Sequence, residues 1–273
     1  MSHPADPFPI AAMLTSLPLD FGPAARQAAA LGFHSVDVVG LAERPTEHLE
    51  ALAETGLLVS CAAVGRGLPD GAALDSALVE RRRAAVEEVR RQVADAARLG
   101  ATHCYVVPGL DTGADGVRRF GDSCVHLAEH AAGLMVRLCV EHVPGRALPT
   151  AAATLAWLAE LRHDNLFLLL DTGHCLMTGE DAADVVRRAG QRMGYVHCDD
   201  NDGAGDLHWP LLVGRLTRDG LRELCLALRS VGYRGPLSLE LNPANADPVG
   251  ALREGKDLLE GICRLAAGRR PAS

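Results

Sequence analysis

Residues 166–174 read Leu-Phe-Leu-Leu-Leu-Asp-Thr-Gly-His, an apolar run that ends on an aspartate. A short and continuously apolar run is typical of a strand buried on both faces of a parallel sheet. Packing gives no reason for Asp171 to stand at the C-terminal end of such a strand. In a parallel β/α barrel this end of the strands forms the edge where the active site lies. The stretch therefore predicts both a barrel strand and a functional residue.

Three further apolar runs in the second half of the chain end on an ionisable side chain, at Glu141, His197 and Glu240. Two glutamates, an aspartate and a histidine at one edge make an oxygen-rich ligand set that suits one divalent cation. Glu240 stands among leucines, where an unpaired carboxylate is costly to bury, and a bound cation removes that cost. Ordinary packing explains one such residue, but four in succession favour a metal site.

Strand-like and helix-like segments alternate along the whole chain. Glycine follows the helical segment before several strands, as at Gly32, Gly100 and Gly232, and allows the left-handed conformation that ends a helix. Eight strands and eight helices in 273 residues predict a (β/α)8 TIM barrel. We expect one domain over residues 1–273, with residues 1–8 as a flexible N-terminal extension. A doubly wound sheet is disfavoured because no glycine-rich phosphate turn follows the first strand.

The predicted bounds follow from apolar runs and from helical periodicity. The predicted strands are residues 10–14, 35–39, 57–63, 103–107, 135–140, 166–170, 194–198 and 236–241. The predicted helices are residues 23–31, 46–54, 76–99, 117–132, 150–161, 181–189, 219–230 and 250–266. Helix 76–99 carries arginines interleaved with acids, a pattern that indicates a solvated outer face with charge pairs rather than a binding patch. Thr172 and Gly173 suit a tight loop, so the helix after Asp171 is expected to begin near residue 180.

Composition excludes several classes of function. A net charge of −8 argues against nucleic acid or an anionic membrane as a partner, because both require a basic surface. Lys256 is the only lysine and lies in a helical pattern, so covalent Schiff-base chemistry is not expected. The eight cysteines form no C-x-x-C pair, which removes the usual structural zinc signature. The N-terminus lacks the features of a secretory signal, and no apolar run is long enough to span a bilayer. We expect a soluble, reduced, cytoplasmic protein.

An acidic and glycine-rich loop follows His197 and leads to Asp206 and His208. It lacks the spacing and the closing glutamate of an EF-hand. Asp206 and His208 are candidates either for a second metal or for closing over the substrate. Arg215, further along the same loop, is a candidate contact for a substrate hydroxyl or an anionic end, although an exposed arginine is the commoner case.

These motifs together resemble those of the xylose-isomerase-like TIM-barrel superfamily, which includes sugar phosphate isomerases and epimerases and also endonuclease IV. The resemblance covers essentially the whole chain, and its specific part comprises Glu141, residues 171–174, His197 with Asp200-Asn201, and Glu240. It implies one divalent cation (Mn²⁺, Mg²⁺, Co²⁺ or Zn²⁺). The implied ligands are Glu141, Asp171, His197 and Glu240. His174 is implied to contact the substrate, which would be a small carbohydrate or a polyol derivative. Homodimers or homotetramers are also implied.

Such a site predicts an isomerase or epimerase of an α-hydroxy carbonyl substrate. The cation makes the C–H between two substrate oxygens more acidic, and a glutamate removes this proton to give an enediolate. Glu141 and Glu240 are the expected proton carriers, with His174 positioning the carbonyl oxygen. Return of the proton on the opposite face is epimerisation, and return to the neighbouring carbon is isomerisation.

Other members of the superfamily supply the alternatives. Inosose and dehydroshikimate dehydratases begin with the same proton abstraction, with His174 as the base, and no residue here separates them from isomerases. Endonuclease IV needs further histidines near the ends of strands three and four, where this chain has apolar residues at 62–64 and 106–108. A non-catalytic sugar-binding barrel is disfavoured by the intact ligand set. The acid on the second strand is Asp37, where many relatives have glutamate, and its role is left open.

Overall fold

Eight parallel strands close into a barrel within residues 8–268, which are the residues that the computed structural model describes. The strands are Ile10–Met13 (β1), Ser35–Val39 (β2), Leu58–Ala63 (β3), His103–Val106 (β4), Arg137–Glu141 (β5), Leu166–Asp171 (β6), Met193–Cys198 (β7) and Leu237–Leu239 (β8). Each strand pairs with its neighbours in sequence, and β1 pairs with β8 to close the sheet, with Ala11 opposite Ser238. The predicted (β/α)8 fold is confirmed.

Helices connect the strands and cover the outside of the barrel. Within the described range they are Phe21–Ala30 (α1), Thr46–Thr55 (α2), Val79–Arg98 (α3), Ala114–Gly133 (α4), Ala151–Leu161 (α5), Thr172–Thr178 (α6), Ala182–Ala189 (α7), Arg218–Ser230 (α8) and Pro248–Ala267 (α9). Gly32, Gly100 and Gly232 have φ values of 78°, 79° and 76°, which confirms that they end helices in the left-handed region. Thr150 and Asp181 precede α5 and α7 as caps, because each side chain accepts a hydrogen bond from a backbone N–H of the first turn.

The strands carry alternate residues into the barrel and out towards the helices. Leu169 and Tyr195 belong to the inner core, and two residues later Asp171 and His197 project into the mouth. β5 repeats this pattern and brings Glu141 to the same level. The alternation therefore positions the candidate ligands. The inner core consists of Met13, Cys61, Ala63, Tyr105, Cys139, Leu169 and Tyr195.

Several expectations about the bounds are wrong. α6 begins directly after Asp171, where the tight-loop interpretation placed its start near residue 180. β5 starts at Arg137 rather than at Met135, because Met135 has a φ of 60° in the turn that follows α4. Phe8 is buried with its ring 5.9 Å from that of Tyr233, so it is not part of a flexible extension. Residues 1–7 of the predicted extension lie outside the described residues.

The charged face of α3 agrees with the expectation except at Asp95. Three of its acid–arginine pairs are spaced i,i+3 with exposed arginines, as the solvated-face interpretation predicts: Glu80–Arg83, Glu87–Arg90 and Glu88–Arg91. Asp95 also meets Arg98, but its side chain is buried and lies 2.7 Å from the buried guanidinium of Arg44. For Asp95 the prediction of a solvated position is wrong, because Arg44 from the loop after β2 compensates its charge.

The eight cysteines are all buried and unpaired. This agrees with the interpretation of Cys61, Cys104, Cys139 and Cys198 as small apolar residues of the strands. Among residues 8–268, no helix combines the length and the apolar character that crossing a membrane requires.

Candidate metal centre and its cavity

Four side chains converge at the C-terminal ends of β5 to β8. Glu141, Asp171, His197 and Glu240 each offer one ligand atom, and these four atoms all lie within 4.8 Å of one another. Glu141, Asp171 and His197 are buried, and Glu240 is half-buried at the wall of the cavity. The structure thus brings together all four of the ligands that the resemblance implied.

The cluster contains close contacts that are not hydrogen bonds. Nδ1 of His197 lies 2.6 Å from Oε2 of Glu240 and 3.7 Å from Oε1 of Glu141, yet it is not aligned to donate to either oxygen. Oδ2 of Asp171 also lacks a hydrogen-bond partner among the described residues. Buried polar atoms without partners cost free energy. One histidine nitrogen and three carboxylates that point at a common volume fit a divalent cation.

Burial and the neighbouring charges shift the pKa values of Glu141 and His197 within this cluster. Burial raises the pKa of Glu141, since it disfavours the charged form. Burial acts the other way on His197, but the carboxylate of Glu240, with Asp37 and Glu141, raises the pKa of His197 well above its usual value. A cation would take the place of this proton, because imidazole binds metals in its neutral form.

Asp37 lies beneath the cluster, on the far side of the His197 ring. Its Oδ2 is 3.7 Å from Nε2 of His197, and its Oδ1 accepts hydrogen bonds from the hydroxyls of Tyr195 at 2.6 Å and Ser60 at 2.7 Å. Metal-binding histidines commonly present their second nitrogen to a carboxylate, which orients the ring. The acid on the second strand, whose role the sequence left open, occupies that place here.

Asp171 has two functions in the structure. Its Oδ1 accepts a hydrogen bond from the backbone N–H of His174 at 2.8 Å and so caps α6. Its own backbone N–H donates to Nε2 of His142 at 3.3 Å. The capping interaction brings His174 to the first turn of α6, where its Nδ1 lies 3.8 Å from Oε1 of Glu141. The same aspartate therefore belongs to the ligand cluster and fixes the neighbouring histidine.

Asp206 and His208 form a second group with His174. Oδ1 of Asp206 lies 3.3 Å from Nε2 of His174 and 3.1 Å from Nε2 of His208. Nδ1 of His208 lies 3.0 Å from Oδ2 of the buried Asp199. Burial opposes the charge on His174, but Asp171 and Asp206 raise the pKa of His174 to about 10. The acids and imidazoles of this group thus compensate one another.

A cavity of about 740 Å³ opens next to both groups. Glu141, Glu240, His174, Asp206 and His208 line one side of it. The opposite side consists of loops that follow β3, β4 and β5, with an apolar surface and two arginines. The volume lies within the range of sites that hold small molecules.

Arg215 is not part of this cavity. Its side chain is exposed and lies over Gly203, outside the cavity lining. The carboxylate of Asp200 holds the adjacent backbone, since it accepts hydrogen bonds of 2.8 Å from the N–H groups of Gly214 and Leu216. This anchoring turns Arg215 away from the cavity, and its contact with a substrate stays a prediction that the structure does not favour.

The structure adds residues that sequence reasoning missed. Tyr105 projects from β4 with its hydroxyl 3.5 Å from Oε1 of Glu240, and its ring meets the His197 ring edge-on at 5.1 Å. His142 and Asp199 are buried partners of Asp171 and His208. The inward alternation of β4 could have indicated Tyr105, whereas the partner of His208 depends on how the long loop folds back.

Comparison with known proteins agrees with this architecture. The fold and the site define a (β/α)8 barrel enzyme with a candidate metal centre at the ends of its strands. The sequence profile of the family described as xylose isomerase-like TIM barrel matches residues 25–262, and the chain belongs to this family. The predicted superfamily is therefore confirmed.

Two relatives of known activity are epimerases. D-psicose 3-epimerase of Agrobacterium fabrum is 24% identical over 266 residues, which cover 88% of this chain and 86% of the relative. L-ribulose 3-epimerase of Mesorhizobium japonicum is 30% identical over 222 residues, which cover 75% of this chain and 66% of the relative. The chain is an enzyme of the isomerase and epimerase class.

Solved structures with the same fold include two epimerases. A D-psicose 3-epimerase crystallised in the presence of D-fructose superimposes with a TM-score of 0.76 at 19% identity, over 95% of this chain and 99% of the other. An L-ribulose 3-epimerase gives a TM-score of 0.78 at 22% identity, over 94% of this chain and 95% of the other. At this level of identity the likeness establishes the fold.

Proposed function

We propose that this protein is a ketose 3-epimerase that depends on one divalent cation. The observation that carries the proposal is the convergence of Glu141, Asp171, His197 and Glu240 within 4.8 Å. The activity of the two relatives favours epimerisation at C3 over the dehydratase alternative, which shares the first chemical step. The proposed ligands are these four residues, and the proposed cation is Mn²⁺, Mg²⁺, Co²⁺ or Zn²⁺.

The chemistry divides between the cation and the two glutamates. A divalent cation in this cluster supplies Lewis acidity that lowers the pKa of the C–H next to a carbonyl. Glu141 reaches the mouth from β5 and Glu240 from the end of β8, so their carboxylates come from different sides of the barrel. One carboxylate removes the proton from C3 of the ketose, and the other delivers a proton to the opposite face. The configuration at C3 is then inverted.

Other side chains orient the substrate between the glutamates. His174 lines the cavity and lies within 4 Å of Glu141, where it can donate a hydrogen bond to a substrate oxygen that gains negative charge. Tyr105 contacts the oxygen of Glu240 that faces away from His197, and holds this carboxylate in place. Glu141 and His174 are buried, which limits the access of bulk water to the carbon that loses its proton.

The test follows deuterium from D₂O into a panel of ketoses, inososes and dehydroshikimate by NMR, with protein that has been stripped of metal and reloaded with Mn²⁺. We expect deuterium at C3 together with inversion. Glu141→Gln and Glu240→Gln should each lower exchange by about 10²- to 10⁴-fold, the usual contribution of a general acid or base. Glu254→Gln is the matched control, because it makes the same substitution at an exposed glutamate of α9.

Three results contradict the proposal. The first is exchange that does not depend on a divalent cation, and the second is full exchange in both glutamine variants. The third is loss of a hydroxyl from an inosose or from dehydroshikimate, which would identify a dehydratase.

We also propose that the enzyme works in a reducing compartment such as the cytoplasm. Its eight buried cysteines are unpaired, even where the sulfur atoms of Cys225 and Cys263 lie 3.5 Å apart. Unpaired thiols at such a distance are typical of proteins kept in a reducing environment.

A further inference from the structure

The ionisable side chains around the cavity fall into two sets. The acids and histidines have partners: Glu141 and Glu240 belong to the ligand cluster, and Asp206 lies between two imidazoles. Asp75 is buried in the wall, and its carboxylate accepts a hydrogen bond from the backbone N–H of Asp111. The two arginines form the other set. Within residues 8–268, neither arginine of the cavity forms an ion pair with a carboxylate.

These arginines are Arg66 and Arg146. Arg146 uses one N–H, which donates to the carbonyl of Pro108 at 3.2 Å, and a guanidinium has five such donors. Arg66 is exposed at the rim of the cavity, and its guanidinium keeps its charge at neutral pH, as arginine does in proteins. Both guanidinium groups therefore keep charge and free donors that face the cavity.

Both arginines lie on one side of the mouth of the barrel. Arg66 follows β3 and Arg146 follows β5, and these strands flank β4 in the sheet. The candidate ligands come from the ends of β5 to β8, so the cavity runs from the ligand cluster towards the β3–β5 side of the mouth. A substrate whose reacting carbons lie at the cluster directs its far end towards the arginines.

We propose that Arg66 and Arg146 form a binding site for an anionic group at the far end of the substrate. The group is a terminal phosphate or carboxylate of a ketose, and this identity of the substrate rests on the proposed function. Guanidinium groups bind such anions through paired, charge-assisted hydrogen bonds.

The experiment compares three substrates that differ at one end: a six-carbon ketose, its 6-phosphate and the corresponding acid with a carboxylate at C6. We expect the wild-type enzyme to prefer one of the anionic forms by at least about 100-fold in kcat/KM, which is near the lower limit for two hydrogen bonds to a charged group. Whether the phosphate or the carboxylate is preferred identifies the source of the anion. Arg146→Gln should remove most of this preference by raising KM for the anionic substrate while leaving the neutral ketose within about threefold.

Two further variants complete the comparison. Arg66→Gln should reduce the same preference, and Arg253→Gln, an exposed arginine of α9, should leave it unchanged. Equal kcat/KM for neutral and anionic substrates would overturn the proposal. The proposal would also be overturned if Arg146→Gln lowered kcat/KM by the same factor for all three substrates.

A binding measurement separates this proposal from the proposed function. A hexitol 6-phosphate has no carbonyl and cannot be epimerised, so its affinity by calorimetry, relative to that of the unphosphorylated hexitol, reports the anion site. Binding that Arg146→Gln weakens at least tenfold supports the site even if no ketose exchanges deuterium. Exchange with neutral ketoses, combined with no binding of the hexitol phosphate or the matching aldonate, overturns the site and leaves the proposed function standing.

Discussion

Nε2 of His197 lies 3.7 Å from Oδ2 of Asp37, while Nδ1 of the same ring lies 2.6 Å from Oε2 of Glu240. The ring therefore presents one nitrogen to the ligand cluster and the other to a buried carboxylate. Asp37 is itself fixed by the hydroxyls of Tyr195 and Ser60. A proton on Nε2 is stabilised by the negative charge of Asp37, and Nδ1 is left with a lone pair for a cation.

Asp37→Asn should weaken binding of Mn²⁺ by about 10- to 100-fold, the usual effect of losing a carboxylate behind a ligating histidine. The amide has nearly the same shape, but it removes the negative charge that favours a proton on Nε2. Titration calorimetry of the metal-free protein measures the affinity directly. Tyr195→Phe removes one hydrogen bond to Asp37 and keeps the carboxylate, so it should weaken binding less. An Asp37→Asn variant that folds and binds Mn²⁺ as the wild type does would contradict this role.

Much of this site could be predicted because it depends on the alternation of single strands. Asp171 and His197 each stand two residues after an inward-facing core residue, and each ends an apolar run. The pairing of Asp37 with His197 could not be predicted, since 160 residues separate them and only closure of the barrel brings them together. The arginines of the cavity escaped prediction for the same reason. Arg66 and Arg146 resemble Arg215 in sequence, and only the course of their loops distinguishes them.

The short helix α6 was missed for a different reason. Seven residues give too little periodicity to detect, and Thr172 and Gly173 have low helix propensity. The helix forms because Asp171 caps it with a side chain that also belongs to the ligand cluster. A residue with two functions gives an ambiguous local signal.

Two substitutions of Asp171 should separate these functions. Asparagine is as good a helix cap as aspartate, so Asp171→Asn should keep the stability of the metal-free protein within about 0.5 kcal/mol while Mn²⁺ binding falls sharply. Asp171→Ala should lose the cap as well, at a cost of about 1 kcal/mol in the free energy of unfolding. Urea unfolding in the presence of a chelator measures the stability. Equal stability of the two variants would show that the cap contributes nothing.

Removal of the metal should lower stability by an amount set by its affinity. A cation that binds the native state alone adds about 2.7 kcal/mol to the free energy of unfolding at a free concentration 100 times its Kd. The increase should be reversed by a chelator and should be much smaller in Asp171→Asn at the same concentration. Thermal unfolding over a series of Mn²⁺ concentrations tests this. The proposed ligand set is contradicted if the unfolding temperature does not change with Mn²⁺. It is also contradicted if that temperature changes equally in the wild type and in Asp171→Asn.

The buried pair of Arg44 and Asp95 should make stability depend on pH in the acid range. Burial alone would raise the pKa of Asp95, but hydrogen bonds from Arg44, Leu41 and Arg98 lower it below its usual value. Because the pKa is lower in the folded state, the pair contributes its stability above the unfolded value of about 3.9. This contribution is lost as the pH falls through the folded pKa.

Variants of this pair allow the contribution to be measured. Asp95→Ala leaves Arg44 buried without its partner and should cost about 3–5 kcal/mol at pH 7, whereas the double variant Arg44→Leu/Asp95→Leu should cost much less. As the pH falls from 5 to 3, we expect the wild type to lose more of its free energy of unfolding than the double variant does. Urea unfolding measures both. Arg26 and Glu54 form an exposed pair, and the matched double variant there should show little change at pH 7. A difference for the buried pair that stays constant down to pH 3 would show that Asp95 does not titrate differently in the folded and unfolded states.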